Sequence, residues 1–507
     1  MASYLLSKSS FIKGLQCDKH LYLYKYHYNE MDEFSEMQKA IFQRGMNVGL
    51  LAQQLFPGGV DTSPKNQFDY ANCLKKTIKE IHSGSKIIYE AGFQFNEVLS
   101  IADIIVNGKG DWKVYEVKSS TSISETYMND AALQYYVISN SGLKIKDFSI
   151  IYINNQYLRQ GNLDINSLFV IESVLDQILP LQEFITTNVE RLKQMLKKKK
   201  MPDIDIGEHC HNPYMCGFFN YCRKHIPEYS VFDFSGMHLT KKYDLYREGI
   251  IELDDVPDDS SLGKKNKLQL NVYKSGKPQI QADEIKNFID DLNYPLYFMD
   301  FETFQPAVPL FDNSRTYQQI PFQYSIHYKE TKESKLKHSE FLAEAGEDPR
   351  PEFIFKLLEA TGKSGDIIVY NKAFEITRLK EIARDFPEFS AEIEKRILRI
   401  KDLMLPFQRN YYYAPEMKGS YSIKAVLPAL VPELSYDELE INEGGLASIA
   451  FESLFTETDM IKISEIRKQL LDYCKLDTLA MVRILERLEQ LQILHNITHK
   501  LFNTHCF

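Results

Sequence analysis

The sequence predicts an α/β protein built from two chemically distinct modules, and three observations carry that expectation. From about residue 291 onward, apolar segments of strand length, "YPLYFMDF" and "GDIIVYN", are followed by longer helical segments, "FEITRLKEIARDF" and "ISEIRKQLLDYCKLDTLAMVRILERLEQLQ". Near residue 100, "LSIADIIVNGKGDWKVYEVKSS" reads as two apolar strands folded back across the hairpin turn signal "NGKGD". The chain of 507 residues also exceeds what one ordinary core accommodates.

Texture divides the chain into 1–230, where helical stretches mix with short strands, and 291–507, the α/β region just described. Between them 231–290 is polar and interrupted by "VPDDSSLGKKN" and "YKSGKPQ", so it is expected as a connecting region. Hydrophobic residues at 44% and charged residues at 26% describe a globular chain rather than a disordered one. No apolar run reaches membrane-spanning length, and the N-terminal stretch lacks the compact apolar core of a signal peptide. The expected compartment is the cytoplasm, with no membrane partner. Seven cysteines there argue for thiolate chemistry or burial rather than a disulfide framework. A net charge of −10 excludes a nonspecific polycation that coats nucleic acid. It leaves room for acids gathered around divalent metals beside local positive charge; the run Lys193–Lys200 offers such charge, although a solvated helix end is the plainer reading of it.

In "PLYFMDFETF" two acids, Asp300 and Glu302, interrupt an apolar strand and project from the same face. Two like charges that close in a buried strand require a cation between them. Further along, "VYNKAFEI" ends a strand near Asn371 and starts a helix that carries Glu375. "LLDYCKLDTLAM" then places Tyr473 and Asp477 four apart on one helical face. This order resembles the DEDD (DnaQ-like) 3′-to-5′ exonucleases, whose fold is ribonuclease H-like. The resemblance implies that Asp300, Glu302, Glu375 and Asp477 bind two Mg²⁺ or Mn²⁺ ions and that Tyr473 orients the attacking water. Glu375 stands where that family usually has Asp. Asp402, on a strand-like segment, is expected as a structural carboxylate.

The N-terminal hairpin places Asp103 on its first strand and Glu116 and Lys118 on one face of its second, with Gln134 on the helix that follows. This arrangement resembles the RecB-like PD-(D/E)XK nucleases, with a restriction-endonuclease-like fold. By that resemblance Asp103 and Glu116 ligate a metal, Lys118 polarises water or steadies the scissile phosphate, and Glu90 is an additional site acid. Gly49 stands where such nucleases often carry a first-helix histidine, and Ile138 where an aromatic is usual.

Cys210, Cys216 and Cys222 recur at intervals of six, just after this region, and Cys17 precedes it. One cysteine before a RecB-like core and three after it resembles the iron–sulfur nucleases. The resemblance implies a 4Fe-4S cluster on these four thiolates that staples the ends of the domain. Zinc is the competing occupant, because His209, His211 and His225 lie near the same cysteines. Cys73, Cys474 and Cys506 remain as inert thiols.

The whole arrangement resembles a bacterial family catalogued as a domain of unknown function, in which an iron–sulfur RecB-like module precedes a DnaQ-like module. The expected activity is metal-dependent hydrolysis of DNA or RNA, on single strands or ends, with protein partners unspecified. Arg315, Tyr317, Gln323 and Lys424 are either groove residues or packing. The rival expectations are a nucleic-acid-binding or processing module with one dead site, and a zinc-stabilised regulatory protein.

Overall fold

A computed structural model describes residues 5–66, 69–257 and 261–503. Its architecture is mixed α/β. The described chain forms two compact units. The first runs to His225 and adds Pro306–Gln318; the second takes Ile226–Gln305 and the chain from Gln319 onward. Residues 231–290, expected as a connection, are thus part of the second unit. Their scattered apolar residues close a small core of their own around Val231, Phe234, Leu253, Val256 and Leu270. Spacing that follows neither a helical nor a strand period hid that core from the sequence.

The first unit is built on a seven-stranded sheet: β1 (Leu6–Ser7), β2 (Val60–Asp61), β3 (Ile87–Phe95), β4 (Val98–Asn107), β5 (Trp112–Lys118), β6 (Ile145–Ile153) and β7 (Phe169–Ser173). The order is β2-β3-β4-β5-β6-β7, and β1 adds to β4. Strand β4 shares one edge between two partners. Its start pairs with β1 (Leu6↔Val98, Ser7↔Leu99) and its end with β5 (Ile104↔Tyr115 to Asn107↔Trp112). The β4–β5 turn is made by Lys109 (φ 73°) and Gly110 (φ 104°) in left-handed geometry, while the Asn107 side chain accepts from Gly110 N at 2.9 Å. Strands β5 and β6 are parallel, as a crossover through the helix Glu125–Asn140 requires. Phe11, Leu133, Phe148 and Leu192 fill the core between the sheet and its helices.

In the second unit a five-stranded sheet has the order β11-β10-β9-β12-β13. Its strands are β9 (Leu296–Phe304), β10 (Ile320–Lys329), β11 (Lys337–Leu342), β12 (Asp366–Val369) and β13 (Ile400–Asp402). A two-stranded ribbon of β8 (Gln279–Ile280) and β14 (Tyr412–Tyr413) lies apart from it in pairing. Strand β9 is central, antiparallel to β10 and parallel to β12. That position explains its apolar character on both faces. The helix Met460–Asn503 packs against β9 and β10. Gln323, fully buried, donates from Nε2 to Leu470 O at 2.7 Å and fastens that helix to β10. Among the described residues no helix is long and apolar enough to cross a membrane.

Candidate functional site

The acids of the second unit converge. Asp300 and Glu302 project from β9, and the Met460–Asn503 helix brings Asp477 beside them. One carboxylate oxygen from each lies within 4.8 Å of the others. Glu375 and Tyr473 line the same cleft, with Tyr370, Asn371 and Met481. Glu375 therefore shares the cleft but stands outside the tight trio. Burial raises the pKa of all four carboxyls. Glu302 is pushed to about 8, with Asp477 adding to the effect, and Glu375 also to about 8. Asp300 rises well above the carboxylate range through burial and then through Asp477, Glu302 and Glu375. Asp477 rises only to about 6, because hydroxyl donation and Lys424 offset its burial.

Three neighbours of this cluster escaped the sequence reading. Tyr436 donates its hydroxyl to Asp477 Oδ1 at 2.6 Å, alongside Tyr473. Cys474, expected as an inert thiol, is fully buried with its Sγ 3.7 Å from Asp300 O and 3.9 Å from its carboxylate. Gly444 opens the helix Gly444–Ser453 so close to the site that a Cβ there would stand 3.2 Å from Glu302 Oε2. Nothing local marks any of the three as a site residue. Lys424 does approach the cluster, with Nζ 5.7 Å from the Tyr436 ring centre and 6.0 Å from that of Tyr473. Asp402 is structural as expected. Its carboxylate accepts from Asn371 N at 3.0 Å and Lys372 N at 3.2 Å, which caps the Glu375 helix.

The first unit gathers its own set. Asp103 lies on β4 and accepts from Val117 N at 2.6 Å, so β5 orients it. Glu116 is almost fully buried. It accepts from Lys118 Nζ at 2.7 Å and from Gln134 Nε2 at 2.7 Å. Burial opposes ionisation of Glu116, yet Lys118 and Lys8 overcome it and hold its pKa far below the usual range. Glu90 adopts φ 53° opposite Asp103, between the Tyr89↔Ile104 and Ala91↔Ala102 pairs. Left-handed geometry in a non-glycine residue is uncommon and collects at functional sites. Burial and then Glu116 push the Glu90 pKa up to about 7. Lys8 and Asp130, unmarked in the sequence reading, join this set through ion pairs with Glu116 and Lys118.

Cys17, Cys210, Cys216 and Cys222 line one small cavity with His20, His209 and Phe218. Cys17 caps the helix Lys8–Gln16 in an extended conformation, and Cys216 N bonds Cys210 O at 2.8 Å. Burial raises all four thiols, Cys216 to about 12. His209 Nε2 is 3.6 Å from Cys210 Sγ. Cys73 is buried with its thiol directed at Glu90 O, and Cys506 falls outside the described residues. Of the groove-or-packing residues, Tyr317 donates to Ser119 O within the first unit, and Arg315 bridges to Leu158.

Residues 297–422, which carry Asp300, Glu302 and Glu375, match the family described as a domain of unknown function (DUF2779). The chain is 28% identical over 282 residues to the uncharacterized protein UU173 of Ureaplasma parvum, covering 50% of this chain and 40% of that one. It is 24% identical over 233 residues to the uncharacterized protein MG366 homolog of Mycoplasma pneumoniae, covering 42% and 35%. The chain thus spans well under half the length of these relatives.

Proposed function

We propose that this chain is a metal-dependent nuclease that removes nucleotides from a 3′ end of DNA or RNA at its C-terminal acids. The observation that carries the reading is the convergence of Asp300, Glu302 and Asp477 oxygens within 4.8 Å. Buried oxygens that close, each pushed toward protonation, suit a small hard dication. The order of site residues on β9, the Glu375 helix and the Tyr473 helix supports a ribonuclease H-like DEDD unit. Mg²⁺ or Mn²⁺ bound there would lower the pKa of a bound water and stabilise charge on a phosphodiester. The chain's own groups do the rest. Tyr436 keeps Asp477 oriented, Tyr473 orients the attacking water, and exposed Lys424 brings positive charge toward a phosphate.

The β3–β4–β5 meander with its Asp103, Glu116, Lys118 and Gln134 supports a restriction-endonuclease-like PD-(D/E)XK unit as a second nuclease site. Its four cysteines around one cavity support a structural 4Fe-4S cluster. Zinc is the second reading for that cavity, favoured by His209 beside Cys210. For the acid set, the alternative in which the first unit grips nucleic acid without cutting is favoured by the lysines that neutralise Glu116.

The test is the full chain with Mn²⁺ and 5′-end-labelled DNA and RNA oligonucleotides. Stepwise shortening is expected, abolished by Asp300→Ala and retained in Glu116→Ala. No shortening of any oligonucleotide, or shortening that survives Asp300→Ala and is lost in Glu116→Ala, overturns the C-terminal assignment.

A further inference from the structure

The N-terminal acid site contains a cation of its own. Lys8 opens the helix Lys8–Gln16, and its Nζ stands 2.6 Å from Glu116 Oε1, a partner 108 residues away. Its position is fixed by two local devices. Strand β1 pairs with the start of β4, and Ser7 then caps the helix with Ser10 in a reciprocal box. The ammonium therefore enters along the same edge of β4 that β5 occupies further on, at the level of Asp103.

Glu116 consequently accepts only from strong donors. Lys8 and Lys118 share Oε1 at 2.6 and 2.7 Å, and Gln134 holds Oε2 at 2.7 Å. Both lone pairs of Oε1 are thus taken, whereas Oε2 carries one donor, so a dication that binds through Oε1 needs one lysine to leave. Lys118 is held a second time by Asp130 Oδ2 at 2.5 Å, and its side chain is 16% exposed. Lys8 is 3.9 Å from Asp130 and 30% exposed. The weaker second contact and greater exposure make Lys8 the group that yields. Two buried acceptors beside this network, Asp130 Oδ1 and Gln134 Oε1, have no hydrogen-bond partner. They offer further lone pairs to an incoming cation or its water.

We propose that Lys8 is the built-in counter-cation of the N-terminal acid site and that a divalent ion bound between Asp103 and Glu116 Oε1 displaces its ammonium. The inference rests on the reading of those two acids as metal-binding. It makes Lys8 a positioning residue that sets the metal affinity of the site.

The test titrates Mn²⁺ alone into the full chain carrying Asp300→Asn and Asp477→Asn, so that the C-terminal acids no longer compete. Free Mn²⁺ is followed by electron paramagnetic resonance, without nucleic acid. Adding Lys8→Met is expected to tighten Mn²⁺ binding by about tenfold, the worth of one charge-assisted hydrogen bond. Glu116→Gln on top of it abolishes the gain. Lys8→Arg, which keeps the charge, binds Mn²⁺ no more tightly than its parent. Should Lys8→Met fail to fold, Lys8→Gln takes its place, with folding followed by thermal melting. Binding in the Lys8→Met chain that is equal to or weaker than in its parent overturns the inference alone. No Mn²⁺ binding in any of these chains overturns it together with the metal reading of Asp103 and Glu116. Nuclease assays of Asp300→Ala bear only on the C-terminal proposal.

Discussion

Tyr436 and Asp477 are joined by a 2.6 Å hydrogen bond across 41 residues of sequence, and both are buried. The phenol thereby supports the ionised form of a carboxyl whose ionisation burial opposes. Tyr436→Phe removes that donor with little change in shape. Mn²⁺ binding at pH 7 is expected to weaken about tenfold, on the scale of a hydrogen bond to a charged group. Isothermal calorimetry on the full chain measures it; unchanged affinity would refute the assigned role.

The raised carboxyls of the second unit make its metal-free stability fall with rising pH. Glu302 and Glu375, at about 8, bind protons in the folded chain that the unfolded chain has already released above about pH 4.5. The folded state thus holds more protons than the unfolded state between those limits, and stability declines through that window. In chelator the melting temperature is expected to drop between pH 6 and pH 8.5. Added Mn²⁺ raises it more at pH 8 than at pH 6, because ionised acids bind the cation. Melting curves at constant ionic strength decide the sign.

Glu375 isolates one part of that effect. Its Oε2 is buried without a hydrogen-bond partner, so the ionised form is costly in the metal-free fold. Glu375→Gln keeps the shape and removes the charge. In chelator at pH 8 it is expected to melt higher than the parent, whereas in Mn²⁺ it gains less and cleaves more slowly. Melting with and without Mn²⁺ separates the two.

Gly444 is required by space rather than by backbone conformation. A methyl at that position would stand 3.2 Å from Glu302 Oε2, so the carboxylate has to shift. Gly444→Ala is expected to cut the cleavage rate at least tenfold. Its melting temperature stays within a few degrees of the parent, since alanine also favours the helix. A rate equal to the parent's would show that the Glu302 position is not critical.

The cysteine cavity predicts a colour. Chain purified anaerobically is expected to be brown, to contain iron, and to lose both in Cys216→Ser, with a lower melting temperature. A colourless protein that contains zinc would assign the cavity to zinc instead.

Which parts of this were legible in the sequence follows from physical range. Asp300 and Glu302 were visible because a strand repeats every two residues, and Tyr473 with Asp477 because a helix repeats every four. The β4–β5 hairpin was visible because the run Asn107-Gly108-Lys109-Gly110 is rich in turn residues, with the left-handed pair falling at Lys109 and Gly110. Tyr436, Cys474 and Lys8 were not, because their partners are brought to them by tertiary packing. Lys8 reaches Glu116 only after a two-residue strand has paired with β4. The placement of Pro306–Gln318 in the first unit was equally hidden, since its ties, such as Thr316 Oγ1 to Asn154 O at 3.0 Å, join residues 162 apart in sequence.

The nine-residue helix that begins at Lys8 ends at Gln16, with Cys17 next, roughly 13 Å further along. Gln16 ties that far end to His209 O at 2.9 Å and Tyr214 O at 2.7 Å, within the cysteine-bearing loop. One short helix therefore has Cys17 at one end and the ammonium paired with Glu116 at the other. A cluster proposed for those sulfurs and a metal proposed for Glu116 would thus be coupled through this one helix.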